Sequence, residues 1–180
     1  MYNAFKIENI FDQDEIDNLK SLFESCSESL AHQDYNLYDV DKRIIPNSAT
    51  HPLLQKLNQY VDLTPMSHYF VKYDVEGFTS LHTDDDGVVK LTVVTLLDDV
   101  DLVGGETLVL DRYVKNARPS YKYAKRGKMG EAPVGSSRIP VIAKMKPGDS
   151  IIYDNAIKHG VCQVEGGHRT VLVSWYKEHD

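Results

Sequence analysis

The residues best equipped for chemistry are His82-Thr83-Asp84, followed far downstream by His159 and then Arg169. Two imidazoles and a carboxylate form the ligand set of a non-haem Fe(II) site with open coordination positions. Side chains two apart on a strand share a face. An extended segment 80–84 therefore turns His82 and Asp84 toward one ion and Thr83 away. His159 must then arrive from a distant strand, and its flanks allow this: 149–153 reads as a strand before it and 160–164 continues after it. Arg169 opens the last apolar run, 170–176, and its guanidinium suits a two-pronged grip on a carboxylate. Taken singly, each piece has an ordinary reading as a solvated pair, a hydrogen-bonded histidine or a surface charge. Their order along a β-rich half makes them a candidate site. Asp85 and Asp86 are rivals to Asp84; alternation turns Asp85 away, and Asp86 falls beyond the strand.

The elements that must position these groups follow from periodicity. Residues 5–10 suit a short edge strand. Asp12 is placed as a helix N-cap with Glu15 as its capping-box partner. Ile16, Leu19, Leu22 and Phe23 recur at helical spacing, so a helix to about Leu30 covers a sheet. Residues 32–47 show no period and read as irregular chain. Pro52 suits the first position of a second helix, with Leu53, Leu54, Leu57, Tyr60 and Val61 as its buried stripe and Pro65 closing the helical region. The period then changes to two. Strands are expected over 66–74, 79–83, 90–97, 106–110, 139–145 and 150–153, with turns at 75–78, Gly104-Gly105 and 146–149. Two helices followed by about eight short strands suggest a mainly β, α+β chain. Its architecture would be a double-stranded β-helix (jelly roll) with helices packed on one sheet.

Composition bounds the rest. The chain has 180 residues, 42% hydrophobic and 26% charged, enough for one domain with a substantial core. The expected division is helical support over 1–64, a jelly-roll core over 66–177 and a basic segment, 112–138, within it. No apolar run reaches the roughly 18 residues of a membrane span, and the N-terminus has no secretory signal pattern. The two cysteines, Cys26 and Cys162, have no motif spacing, so free thiols in a reducing, cytoplasmic setting are expected. A formal charge of −7 argues against nucleic acid as the main partner. The charge is uneven: between Arg112 and Arg138, eight basic residues face Glu131 alone, interleaved with Tyr113, Tyr121 and Tyr123. That segment is either a solvated loop or a lid that recruits an acidic or extended substrate.

With those residues placed, the chain resembles the Fe(II)/2-oxoglutarate-dependent dioxygenases, in their prolyl 4-hydroxylase-like branch. The resemblance covers roughly 66–176. It rests on Lys72-Tyr73-Asp74, nine residues before His82; on His82-Thr83-Asp84; on Gly104-Gly105-Glu106-Thr107; and on Pro147-Gly148-Asp149, His159-Gly160-Val161, Gly167-His168-Arg169 and Trp175. It implies that His82, Asp84 and His159 hold iron and that Arg169 pairs with the far carboxylate of 2-oxoglutarate. Tyr73 and Thr107 would line the cosubstrate pocket and hydrogen-bond to the cosubstrate, and Trp175 would pack beside that pocket. Plain core packing is the competing reading of those three. The implied reaction couples O2 and decarboxylation of 2-oxoglutarate to succinate and CO2 with hydroxylation of a C–H bond, with ascorbate as a candidate reductant. The implied substrate is a peptidyl proline; a free amino acid or other small metabolite is the alternative, and a non-catalytic metal-binding jelly-roll module the second. No membrane partner is expected, and the assembly would be a monomer or homodimer. The chain departs from the branch at Arg169, where many members carry lysine. It departs also at Leu96, in place of a common tyrosine, in the short segment after Asp84 and in the length of the basic segment.

Overall fold

The computed structural model describes residues 4–27, 36–84, 87–110, 118–119, 122–125, 128–131 and 141–179. β1 (Phe5–Ile7) leads into α1 (Gln13–Ser25). The capping box forms as read: Asp12 Oδ1 accepts from the Glu15 N–H, and Glu15 Oε2 accepts from the Asp12 N–H, both at 2.9 Å. Ile16, Leu19 and Phe23 are buried. The helix stops at Ser25, short of the expected Leu30. The Ser25 hydroxyl bonds back to the Leu22 carbonyl at 2.7 Å, and Cys26 turns extended.

The expectation of irregular chain over 32–47 is wrong for its second half, where β2 (Leu37–Ile44) forms. A 3-10 turn (Ser48–Thr50) and α2 (Pro52–Asn58) follow. Leu54, Leu57 and Val61 are buried, but Tyr60 lies past the helix end and is exposed.

β3 (Thr64–His82) replaces the two strands and turn expected there. What reads as a turn at 75–78 is a bulge. The pairing of β2 with β3 jumps from Tyr38↔Phe78 to Val40↔Tyr73, with positive φ at Asp39 and Glu76. Gly77 permits this crowding, because a Cβ there would stand 2.8 Å from the Asp39 carbonyl oxygen. The bulge bends β3 so that its halves serve two walls.

The remaining strands are β4 (Leu91–Asp98), β5 (Val103–Gly104), β6 (Thr107–Val109), β7 (Arg118–Pro119), β8 (Lys122–Lys125) and β9 (Lys128–Glu131), then β10 (Val141–Ala143), β11 (Ser150–Asp154), β12 (His159–Val161), β13 (Val164–Gly166) and β14 (Arg169–Lys177). The basic segment, read as a loop, thus contributes three short strands; its other residues lie outside the described ones. The main sheet runs β1-β11-β4-β14-β3-β12-β6-β10-β7, with β2 added to β3, and every pair is antiparallel. The result is a nearly closed, barrel-like sheet, the jelly roll expected. Among the described residues no helix is long and apolar enough to cross a membrane.

Two apolar clusters explain why the central strands lack a clean period of two. Phe70, Leu91, Val93, Ile152 and Leu172 face the helices, packing on Ile16, Leu19, Phe23, Leu54 and Leu57. Tyr69, Val71, Val94, Ile151, Val171 and Val173 face the barrel interior. With both faces covered, all of β4 is buried, as in sheets that carry a layer on each side.

His68 lies on the helix-facing side, its Nδ1 2.7 Å from Ser174 Oγ and its Nε2 buried without a hydrogen-bond partner. Burial, aided by nearby His51, pushes its pKa from 6.5 down to about 4. Between pH 6.5 and 4 the unfolded chain therefore binds the proton more readily, and stability falls as the pH drops through that window, by about 3 kcal/mol in total. His68→Leu should remove this share of the acid sensitivity in urea melts across that range. The share of His159, also pushed to about 4, should remain.

Candidate metal centre

Cross-strand register brings the two histidines together. β12 pairs with the second half of β3 so that His159 stands opposite His82, and the rings lie 4.3 Å apart. Asp84 follows two residues after His82, its N–H donating to the Asn155 carbonyl at 3.1 Å. The ligand atoms of His82, Asp84 and His159 all fall within 4.8 Å of one another. Ligands about 2 Å from one ion stand at most about 4 Å apart, so the triad needs only slight closure to hold a metal.

Second contacts prepare each ligand. His82 Nδ1 lies 2.7 Å from the Ser80 carbonyl and His159 Nδ1 3.0 Å from that of Ile157. Each carbonyl accepts the Nδ1 proton, which leaves the Nε2 lone pair for a metal. Those Nε2 atoms face Asp84, at 3.4 Å from Oδ1 for His82 and 3.5 Å from Oδ2 for His159. Burial pushes His159 down to about 4, so it is neutral at pH 7 with its Nε2 lone pair available to a metal. Burial also pushes Asp84 up, but the adjacent His82 and His159 rings and the Thr92 hydroxyl outweigh it and lower its pKa, keeping the carboxylate ionised. Thr92 Oγ1 donates to Asp84 Oδ2 at 2.6 Å.

The triad lines a cavity of about 260 Å³. Tyr73, Thr107 and Trp175 line it. Tyr73 donates to or accepts from Thr79 Oγ1 at 2.8 Å. Trp175 packs edge-on against Tyr69 at 5.2 Å, its indole N–H buried without a partner. Arg169 is placed differently from the sequence reading, which set it in the same cavity. It pairs in register with Tyr73, but its guanidinium lines an adjoining cavity of about 490 Å³, with Thr107 shared between the two. Arg169 Nη1 donates to the Gly105 carbonyl and Nη2 to Thr107 Oγ1 at 3.0 Å. Among the described residues no carboxylate lies within ion-pair distance of this buried guanidinium, and its Nε has no partner. Burying an unpaired charge is costly, so the arrangement is built to receive an anion.

Thr92, Asn155 and Tyr153 are parts of the site that sequence reasoning passes over. The signal for Thr92 is a hydroxyl in a strand that is mostly aliphatic. Neither Asn155 nor Tyr153 has a local signal, because register alone brings them to the metal end. Asp85 and Asp86 lie outside the described residues.

No protein-family model matches the chain, and no curated protein matches it in sequence. Solved structures do match over nearly its whole length. A Pseudomonas putida prolyl-4-hydroxylase is 12% identical, with a TM-score of 0.63 and coverage of 100% of this chain and 95% of that one. A 2OG-Fe(II) oxygenase family oxidoreductase from Burkholderia pseudomallei is 19% identical, TM-score 0.63, covering 98% and 85%. HygX from Streptomyces hygroscopicus, solved with nickel and 2-oxoglutarate, is 12% identical, TM-score 0.64, covering 98% and 83%. The fold is thus that of the 2-oxoglutarate/Fe(II) oxygenases. At these identities it is the fold that is shared, and the chemistry rests on the residues above.

Proposed function

We propose that this protein is a 2-oxoglutarate-dependent dioxygenase that hydroxylates a C–H bond, with a peptidyl proline as substrate. The observation that carries the reading is the convergence of His82, Asp84 and His159 on one cavity, with a buried guanidinium that has no ion-pair partner among the described residues reached through Thr107. Fe(II) bound by the triad would activate O2 and the 2-oxo acid, yielding succinate and CO2 as the substrate is hydroxylated. The chain's own part is positional. Asp84 offsets one of the metal's two charges, so the centre stays cationic toward a dianion. His82 and His159 keep their Nε2 lone pairs directed at it. A carboxylate that reaches the Thr107 hydroxyl also reaches Arg169, because the two are hydrogen-bonded. Val71, Val94, Val171 and Val173 give the cavity an apolar wall. The cavity is smaller than the roughly 300–1,000 Å³ of drug-sized sites, which suits a short dicarboxylate.

The peptidyl-proline reading draws support from likeness to the P. putida prolyl-4-hydroxylase. A small-molecule substrate is the second reading, favoured by the similar fold of HygX solved with hygromycin B. The test is anaerobic binding of Fe(II) and 2-oxoglutarate, then succinate release across proline-containing peptides and free amino acids. Binding of 2-oxoglutarate only when Fe(II) is present, with succinate formed in step with one hydroxylated peptide, is expected. No Fe(II)-dependent binding would end the proposal, and coupling to a free amino acid alone would select the second reading.

A further inference from the structure

Tyr153, on β11, is among the largest fully buried side chains of the protein, 2% exposed. Its ring lies against the His159 imidazole, 4.4 Å between centroids and tilted by 34°. It lines the metal cavity beside Asp84 and Thr92. Register explains the placement. Tyr153 stands opposite Thr92 on β4, and Thr92 opposite Trp175 on β14, so the three form one rung across the sheet. Thr92, the middle member, already holds Asp84.

The hydroxyl is the unexplained part of this residue. Packing against His159 and against Ile151 and Val94 within the interior cluster needs only a ring, and a phenylalanine would fill the same space. Among the described residues the Tyr153 hydroxyl has no hydrogen-bond partner. It is not among the buried atoms left without a partner, so it opens on the cavity, and a tyrosine hydroxyl at such a site usually finds a hydrogen-bond partner. Here the polar tip belongs to a residue lining the cavity that carries the metal ligands. Thr107, which carries the Arg169 contact, lies two residues along β6 from the position opposite His159, so the Tyr153 hydroxyl serves a different part of whatever fills the cavity.

We propose that Tyr153 is a cosubstrate-binding residue, whose hydroxyl donates a hydrogen bond to an oxygen of the 2-oxo acid at the metal end of the cavity. This rests on the dioxygenase reading given above. The residue acts by fixing the pose of the acid, while Arg169 and Thr107 fix its far carboxylate. The acid is then held at both ends by hydrogen bonds that do not pass through the metal.

The test is Tyr153→Phe, which removes one oxygen and keeps the ring. Fe(II) alone, and then 2-oxoglutarate in the presence of Fe(II), are titrated anaerobically by calorimetry into wild type and variant. A hydrogen bond to a charged acceptor is worth about a tenfold change in affinity or more, so the 2-oxoglutarate Kd should rise about tenfold. The Fe(II) Kd without 2-oxoglutarate should stay within twofold, and the melting temperature of the cofactor-free protein should not fall. A 2-oxoglutarate Kd unchanged in the variant overturns the assignment while leaving the dioxygenase reading intact. So does an equal loss of Fe(II) affinity, which would make the hydroxyl a support for His159. If wild type itself binds no 2-oxoglutarate with Fe(II), the functional reading fails, and the Tyr153 role with it.

Discussion

Asp84→Ala abolishes Fe(II)-dependent consumption of 2-oxoglutarate. Loss of even an outer-shell partner of a metal ligand typically costs about 10–100-fold in metal affinity or activity, so loss of the ligand itself should cost well over 100-fold. Asp84 also organises the site without metal, since both histidine Nε2 atoms face it and Thr92 donates to it. The variant leaves two neutral donors, His82 and His159, and an ion with neither of its two charges offset. The check is Fe(II) titration together with succinate release. Retained turnover in Asp84→Ala, with loss in Asp86→Ala, would move the carboxylate ligand to Asp86.

Arg169→Ala raises the requirement for 2-oxoglutarate on the order of 100-fold, while Fe(II) binding without 2-oxoglutarate is unchanged. Truncating one partner of a buried, hydrogen-bonded charge pair costs about 2–5 kcal/mol, and about 2.7 kcal/mol corresponds to that factor. Arg169→Lys should fall between, because an ammonium cannot reproduce the two-pronged contact. Stability should move the other way. Burial pushes the Arg169 pKa down against the pull of Tyr73 and Asp99, which records how poorly the charge is compensated. Replacing it with Met, which keeps an apolar stem, should therefore leave the cofactor-free protein at least as stable, with Tm higher by about 2–4 °C if 1 kcal/mol is recovered. An unchanged KM for 2-oxoglutarate in Arg169→Ala would remove this residue from the binding site.

The triad was legible because its logic is local at one end: two ligands one strand period apart, and a third at the start of another strand. The α1 cap was legible for the same reason, since the capping box spans four residues. β2 was not. Its sequence, Leu-Tyr-Asp-Val-Asp-Lys-Arg-Ile, shows no apolar alternation, because its burial comes from charge and ring contacts. Arg43 reaches Asp41 at 2.8 Å and the Phe23 carbonyl at 3.0 Å, and lies 4.0 Å over the Phe23 ring. The bulge at 74–77 was misread as a hairpin turn, because Gly77 signals tight backbone in either case, and only the strand beside it distinguishes them. The direction of the Arg169 guanidinium was out of reach for another reason. Strand alternation gives the face on which a side chain stands, but not where a long, flexible stem carries its head.

That bulge makes β3 a gauge. Tyr73 stands on the wall shared with Arg169, and His82 on the wall shared with His159, and one covalent run of backbone joins them. The length of acid that spans the two ends is thereby written into chain connectivity rather than into any one contact. Removing a single residue from 74–77 would shift the second half of the strand by one position and turn His82 to the opposite side. The tolerance of this fold for insertions and deletions should therefore be lowest at a stretch where no side chain touches the ion.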